Sequence, residues 1–400
     1  MLNAQRRHYI GLAVFIVLLS TFFLFHGYST TYETVLRDPC RYSAPIKSSA
    51  QPDLRAAVSS LFNSIKHDIT NTEYRDASGK LFKANQTIWN KPLGKKILIV
   101  DIDTRVPNQD NQILNTETIN FETLEMNGGG LVSNAIMNHY LYAMIHGYDF
   151  KYYQAQSIKD HHDTWILPHA LRELIPDYQF VVTMDADVTI PHMEVPLEWL
   201  FNRWGIQPHT SIALPWDTLE VRDGKKASVD SKGMLVLNTG FVVAQDSATT
   251  RDMLEKWHDC TSESRYAGCG TWAETWSHEQ RAFSEYIRYD YNNTPETVVS
   301  IDCDDAMGYP GIAAEAARPG EYEVSDCSGN FVRHYTLNKG QVKEAGMLSV
   351  MNPLAELLRK QLLKNKNTVW YQEPEKAEQS ETSDREKVVL SDIDGVLPTG

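Results

Sequence analysis

Four pairs of aspartates stand one residue apart in this 400-residue chain: Asp101/Asp103, Asp185/Asp187, Asp302/Asp304 and Asp392/Asp394. Two carboxylates at that spacing are hard oxygen ligands that suit Mg2+ or Mn2+, and such a cation can bridge onward to a diphosphate. Setting separates the pairs. Asp185-Ala186-Asp187 closes the apolar run 180–184 and precedes Val188-Thr189-Ile190. That places it at the carboxyl edge of a buried strand, where ligands bind in open α/β sheets. Asp101-Ile102-Asp103 ends an earlier run, either as a plain polar strand end or as a contact to a ribose or base. Asp302-Cys303-Asp304 reads as a disulfide-bearing loop. Asp392-Ile393-Asp394 has no domain after it to supply partners. A third ligand would fix a cation between phosphates, and His334, in the strand-like segment 331–335, is the candidate. Lys339 follows five residues on and would neutralise charge developing on a diphosphate leaving group. A histidine or lysine taken alone is ordinarily structural or solvated.

These residues need a sheet to hold them. The run 97–100 has the length and β-branching of a strand buried on both faces. Asn127-Gly128-Gly129-Gly130 breaks the chain before a helix over 131–145, which His146-Gly147 ends. The triglycine has no Lys-Ser/Thr after it, so it reads as a turn rather than a phosphate loop. A strand at 149–153, a helix over 164–174 and the strand before Asp185 complete an alternating pattern, predicting a doubly wound, mostly parallel α/β sheet. Further strands are expected at 211–214 and from 234 through 244, with helices over 248–258 and 277–287. The globular domain is expected over 93–363. A polar stem over 26–92, with one amphipathic helix at 53–66, would precede it, and an acidic tail over 364–400, poor in aromatics, would follow and stay disordered.

The charge balance, 38 Lys+Arg against 52 Asp+Glu for a net −14, argues against a nucleic-acid partner. A cytosolic tail at 1–8 carries Arg6 and Arg7, and the apolar run 9–25 follows. At about 1.5 Å per residue the run measures roughly 25 Å, enough for a thin early-secretory membrane. The positive-inside bias then predicts a single-pass type II anchor with all later residues in the lumen. Five cysteines suit that compartment. Cys260/Cys269 and Cys303/Cys327 are the natural pairs by proximity, although four cysteines allow three connectivities, and Cys40 would be free or link two chains. Asn85-Gln86-Thr87 and Asn292-Asn293-Thr294 are N-glycosylation sequons.

In order along the chain come Asn138, Tyr142-Ala143, His146-Gly147-Tyr148-Asp149, Trp165, Met184-Asp185-Ala186-Asp187, Leu237-Asn238-Thr239-Gly240-Phe241, Trp257, Glu279-Gln280, His334 and Lys339. This series resembles glycosyltransferase family 34, the fungal α-galactosyl- and α-mannosyltransferases and plant xyloglucan xylosyltransferases. The resemblance implies a GT-A fold and a Golgi enzyme that moves a sugar from a UDP or GDP donor to a glycan or glycoprotein acceptor, retaining anomeric configuration and using Mn2+ or Mg2+. It implies that Asp185, Asp187 and His334 bind the metal and that Lys339 contacts the diphosphate. Asn238, Thr239 and Gly240 would border the donor sugar; Asp101 is a donor-contact candidate only through its strand-end position. Glu279 and Gln280 would stand at the reaction centre. The chain departs from the family in Ile166-Leu167-Pro168, where a lysine usually follows the tryptophan, and in Tyr335-Thr336-Leu337-Asn338, where small residues and a cysteine usually follow the histidine.

Asp217 in Pro215-Trp216-Asp217 could bind acceptor hydroxyls and is carried as a catalytic candidate beside its plainer reading as a loop carboxylate. Trp216, Trp272 and Trp276 could stack on sugar rings or pack in the core. Two other readings stand beside the transferase. One is a non-catalytic lumenal scaffold. The other is a haloacid dehalogenase-type phosphatase, in which Asp101 of Ile99-Val100-Asp101-Ile102-Asp103-Thr104 would be the nucleophile, without the Gly-Thr that usually follows. Homo- or hetero-oligomers are compatible with either lumenal reading.

Overall fold

The structure, a computed structural model, describes residues 53–115 and 118–373. The expected anchor at 9–25, Cys40, Asp392/Asp394 and most of the acidic tail lie outside the described residues. No helix among the described residues is long and apolar enough to cross a membrane.

The strands run β1 (Glu73–Arg75), β2 (Leu81–Lys83), β3 (Ile97–Asp103), β4 (Asp149–Gln154), β5 (Phe180–Met184), β6 (Val188–Thr189), β7 (Ile212–Pro215), β8 (Glu220–Arg222), β9 (Lys225–Lys226), β10 (Phe241–Gln245), β11 (Val298–Ile301), β12 (Tyr322–Val324) and β13 (Arg333–His334). Six of them form the central sheet in the order β11-β7-β10-β5-β3-β4. The expected α/β sheet is present. β3 pairs in parallel with β4 and β5, and β7 with β11.

The strand sequences show why the sheet sits in the middle. Ile97 and Ile99 of β3, Phe180 and Val182 of β5, and Phe241 and Val243 of β10 enter one apolar cluster. Their neighbours Leu98, Val100, Val181, Val242 and Ala244 enter the other. Period-2 alternation with both sets apolar covers both faces, and each fully buried Val or Phe contributes about 1.5–3 kcal/mol. The helix Gly128–His146 lies on the first face, with Tyr142, Ala143 and Ile145 in its cluster. The helices Ile166–Leu174 and Ala248–His258 lie on the second, through Leu171, Leu174, Met253, Leu254 and Trp257.

One strand runs against the rest. β10 is antiparallel to both neighbours, with Phe241 opposite Met184 and Val243 opposite Ala213. Its amino end therefore meets the carboxyl ends of β5 and β7, and the Asn238-Thr239-Gly240 segment arrives beside Asp185 and Asp217. Had β10 been parallel, those residues would lie at the opposite edge.

Three expectations need correction. The strand expected over 234–244 begins only at Phe241; residues 234–237 touch the sheet through isolated bridges, Val229–Leu235 and Trp216–Leu237. The helix expected from 131 begins at Gly128, and Gly129 and Gly130 are packed rather than loose. A Cβ on Gly130 would lie 2.1 Å from the Glu125 carbonyl oxygen, and one on Gly129 2.3 Å from Gln112 Oε1. The stem expected over 26–92 contributes core from Phe62 onward: Phe62, Tyr74, Phe82, Ala84 and Trp89 are buried in the first cluster. β1 and β2 bury one residue each, Tyr74 and Phe82, which is too short a pattern for periodicity to register. Gly147, by contrast, caps its helix as expected, at φ 78° with its N–H on the Ala143 carbonyl.

Candidate active site

Asp185 and Asp187 leave β5 at the carboxyl edge of the sheet, and the turn they make is fixed by backbone. Asp185 N–H donates to the Gly240 carbonyl and Val188 N–H to the Asp185 carbonyl. β6, directly after Asp187, pairs antiparallel with β13, so that His334 stands opposite Val188. This two-residue ladder is what delivers the late histidine to the two aspartates. His334 Nε2 lies 3.3 Å from Asp187 Oδ1 and 3.9 Å from Asp185 Oδ2. Lys339 Nζ is 2.9 Å from Asp187 Oδ2.

The ligand atoms of Asp185, Asp187 and His334 lie within 4.8 Å of one another. An octahedral ion with bonds near 2.1 Å sets neighbouring ligands roughly 3 Å apart, close to the spacing of the histidine and Asp187. Two carboxylates with one imidazole suit Mn2+ better than an all-oxygen set would. The histidine is also oriented as a ligand requires. Its Nδ1 lies 3.1 Å from Asn238 Oδ1, and that oxygen already accepts from Gly240 N–H at 2.8 Å. Asn238 Oδ1 is thus the acceptor for an Nδ1–H, which fixes the tautomer and leaves the Nε2 lone pair toward the carboxylates.

Electrostatics divide the two aspartates. Burial would raise Asp187, but His334 and Lys339 outweigh it and hold the carboxyl well below the usual range. Asp185 has a side chain 57% exposed by area. Protein atoms crowd it within the cleft, and that crowding followed by the Asp187 charge lifts it to about 6. Burial disfavours a charged His334, yet the Asp187 carboxylate, with Asp185 and Asp217 behind it, shifts the ring upward overall. The cluster is a place where positive charge is strongly favoured.

A hydrogen-bonded chain runs inward from the Asp185, Asp187 and His334 group. Asn238 Nδ2 donates to Asp217 Oδ1 at 3.3 Å and Gln280 Nε2 to Asp217 Oδ2 at 2.9 Å. Thr239 N–H donates to Gln280 Oε1 at 3.0 Å, and Thr239 Oγ1 to Glu279 Oε1 at 2.8 Å. The structure therefore brings Asp185, Asp187, Asp217, Asn238, Thr239, Gly240, Glu279, Gln280, His334 and Lys339 into one connected group. Burial, followed by Glu220, raises Asp217 to about 6. Glu279 is 4% exposed and its Oε2 is buried without a hydrogen bond. Burial, only partly offset by nearby hydroxyls, holds its carboxyl at about 7.

Glu279 makes a prediction with a defined sign. Its folded value lies above its ordinary 4.5, so folding favours the protonated acid. That contribution is complete below about pH 4.5 and is lost as pH rises through about 7. Glu279→Gln keeps the acceptor for Thr239 and removes the titration. Thermal unfolding of the two proteins should give curves that diverge between about pH 4.5 and 7, the variant gaining roughly 3 kcal/mol relative to the parent. Parallel curves over that range would mean the carboxyl is not held neutral.

Asp101 lies apart from this group. It is 4% exposed, its Oδ1 is 2.6 Å from His139 Nδ1, and its Oδ2 is buried without a partner. His139 in turn is 3.1 Å from the Val188 carbonyl, so the pair braces β6 from beneath. Asp101 offers no open oxygen, which removes it as the nucleophile of a phosphatase. Asp103 and Arg105 lie further along the same edge. Arg105 grips Asp103 with Nε and Nη2 at 2.8 and 2.6 Å, and its side chain is 44% exposed. After the Asp103 bonds, the fields of Asp187 and Asp185 also raise its guanidinium. Arg105 and His139 carried no signal in the sequence beyond their proximity to a strand end and a helix face. Asp302 and Asp304 cap and tie the loop after β11: Asp302 Oδ1 accepts from Asp304 N–H, and Asp304 Oδ1 from Ser328 N–H. Cys303 is joined there to Cys327, and Cys260 to Cys269, as expected. Asn85 and Asn292 are exposed.

No protein-family model and no curated protein matches the sequence. Among solved structures the chain is similar to a glycosyltransferase involved in glycosylation of the major capsid of PBCV-1, at 14% identity and a TM-score of 0.38, over 63% of this chain and 98% of that one. It is similar to mouse xyloside xylosyltransferase 1 at 10% identity and a TM-score of 0.35, over 62% and 99%. It is also similar to the galactosyltransferase LgtC, in complex with donor and acceptor sugar analogues, at 11% identity and a TM-score of 0.33, over 63% and 95%. Likeness at this level concerns the course of the chain and not its chemistry.

Proposed function

We propose that this chain is a metal-dependent glycosyltransferase of the GT-A type, which takes a nucleoside-diphosphate sugar and glycosylates a glycan. One observation carries the reading: two aspartates, an oriented histidine and a lysine converge at the carboxyl edge of an α/β sheet, with ligand atoms within 4.8 Å. Asp185, Asp187 and His334 would hold Mn2+ or Mg2+, which supplies Lewis-acid neutralisation of the diphosphate. Lys339 would balance charge on the leaving group, and the exposed Arg105 guanidinium adds positive potential at the same edge. Asp217, Glu279 and Gln280 would bind and orient the sugars beside it. Of these, Glu279 is held near neutrality and can either donate or accept a proton at physiological pH. The resemblance to family 34 supports retention of anomeric configuration and a Golgi location. The apolar run 9–25 supports a type II anchor, and the two disulfides and the exposed sequons agree with a lumen.

The test is nucleotide release by the full chain from UDP-galactose, UDP-glucose, UDP-xylose and GDP-mannose, with Mn2+ or with EDTA. Metal-dependent release from one donor is expected and would name it. A folded protein that neither releases nucleotide nor is thermally stabilised by Mn2+ with any of these donors would be a scaffold instead.

A further inference from the structure

One wall beside Glu279 has a form the metal site does not explain. The loop from 272 to 278 is pinned to the loop from 161 to 165: His162 N–H donates to the Ala273 carbonyl at 2.8 Å and Trp165 Nε1 to the Trp272 carbonyl at 3.0 Å. Arg281 lies over the Trp272 ring at 5.2 Å. The pinned loop nevertheless turns Trp276 outward. At 67% exposure Trp276 is the most exposed tryptophan among the described residues, whereas Trp165, Trp199 and Trp257 are fully buried. Next to it His278 is buried at φ +53°, a conformation that a residue with a Cβ keeps only when its surroundings impose it. The His278 ring stacks on that of the exposed His162, with centroids 3.7 Å apart and planes within 1°, and meets the Trp276 ring edge-on at 5.7 Å. The three rings form a ledge running from solvent to the residue before Glu279, whose buried Oε2 makes no hydrogen bond.

We propose that this ledge is the subsite for a pyranose ring of the acceptor glycan, with the C–H face of the sugar on the Trp276 indole and its hydroxyls on the imidazole edge of His162. The assignment rests on the transferase reading above and adds the residues that would select the acceptor. An apolar face with hydrogen-bonding groups at its rim matches the two-sided chemistry of a sugar ring. Burial, followed by the neighbouring His162, lowers His278 to about 4, so that buried ring is uncharged at neutral pH. The diphosphate groups, Lys339 and the metal ligands, are joined to Glu279 through Asn238, Asp217, Gln280 and Thr239. The ledge approaches Glu279 through His278 instead.

The experiment uses the full chain, its Trp276→Ala and Trp276→Phe variants, and saturation-transfer NMR with the methyl glycosides of galactose, mannose, glucose and xylose. UDP and GDP, each with Mn2+, are measured in parallel. At least one glycoside is expected to bind the parent, to weaken by about 3- to 10-fold in Trp276→Ala, and to recover in part in Trp276→Phe. UDP affinity should not change. If Trp276→Ala weakens UDP and spares the glycosides, the ledge is a nucleobase platform and the proposal fails. It fails equally if no glycoside binds the folded parent at millimolar concentration. Failure of both UDP and GDP to bind the parent, with glycoside binding still dependent on Trp276, would overturn the donor reading and keep the ledge.

Discussion

Asp187→Ala is expected to lose Mn2+-dependent binding of nucleoside diphosphate by more than about 100-fold, since even the residues that merely support a metal ligand cost 10- to 100-fold when removed. The argument rests on position. Asp187 is the one residue that touches both the histidine, at 3.3 Å, and the lysine, at 2.9 Å. It is also the carboxyl that His334 and Lys339 keep ionised, so it is the permanently charged ligand of the pair. Asp185 is lifted toward neutrality by burial and then by the Asp187 charge. In the variant that source of repulsion is gone, and Asp185 is expected to ionise more readily. One carboxylate and an imidazole remain, but the link to Lys339 is lost. The fold should persist, because the turn is held by the backbone bonds from Asp185 to Gly240 and from Tyr335 N–H to the Asp187 carbonyl. A ligand at 100 times its dissociation constant stabilises a protein by about 2.7 kcal/mol. Mn2+ with UDP or GDP, whichever the parent binds, should therefore raise the melting temperature of the parent and leave that of the variant unmoved. Equal stabilisation of both would remove the metal site from the account.

Some of this was legible in the sequence and some could not have been. The run 180–184 and the aspartates after it announce themselves, because burial on both faces demands an unbroken apolar stretch and the break falls where solvent returns. The same logic located β3. Strand direction is a different matter. Nothing in Phe241-Val242-Val243-Ala244 says that β10 runs against its neighbours, since an apolar run reads alike in either sense, and yet that reversal puts Asn238 on His334. The two-residue ladder of β6 and β13 is likewise too short to leave a period. His334 was found by its strand-like segment and by family resemblance, and the structure supplies the reason it belongs there. Asp101 was read as a donor contact because it ends a strand. Its burial depends on His139 reaching under β6, a contact between residues 38 apart that local pattern does not carry. The core contributed by Tyr74, Phe82 and Trp89 was missed for a related cause: single buried aromatics in polar surroundings look like a stem until a sheet is placed behind them.

Gly240→Ala is the second large effect, and it separates packing from chemistry. Asn-Thr-Gly reads in sequence as a sugar-contacting loop, but the glycine has a tighter role. A Cβ at Gly240 would lie 2.2 Å from His334 Cε1 and 2.5 Å from Nδ1, distances no real contact sustains. Its φ is not in the left-handed region, so the conflict is one of space alone. The imidazole must move, and it can move only off Asn238 or away from the aspartates. Either displacement misplaces the third metal ligand. Overpacking of this kind costs about 1–3 kcal/mol, and Mn2+ affinity should fall by at least about 10-fold. Gly147→Ala is the matched control. It strains a residue at φ 78° with open space around it, costs about 1 kcal/mol, and should leave Mn2+ affinity untouched. A double-mutant cycle with His334→Ala decides the cause. If the clash with the imidazole is responsible, the stability cost of alanine at 240 disappears when the imidazole is absent. If the cost survives in the His334→Ala background, Gly240 is required for the backbone bonds it makes to Asn238 and Asp185, and its place beside the histidine is incidental to the metal site.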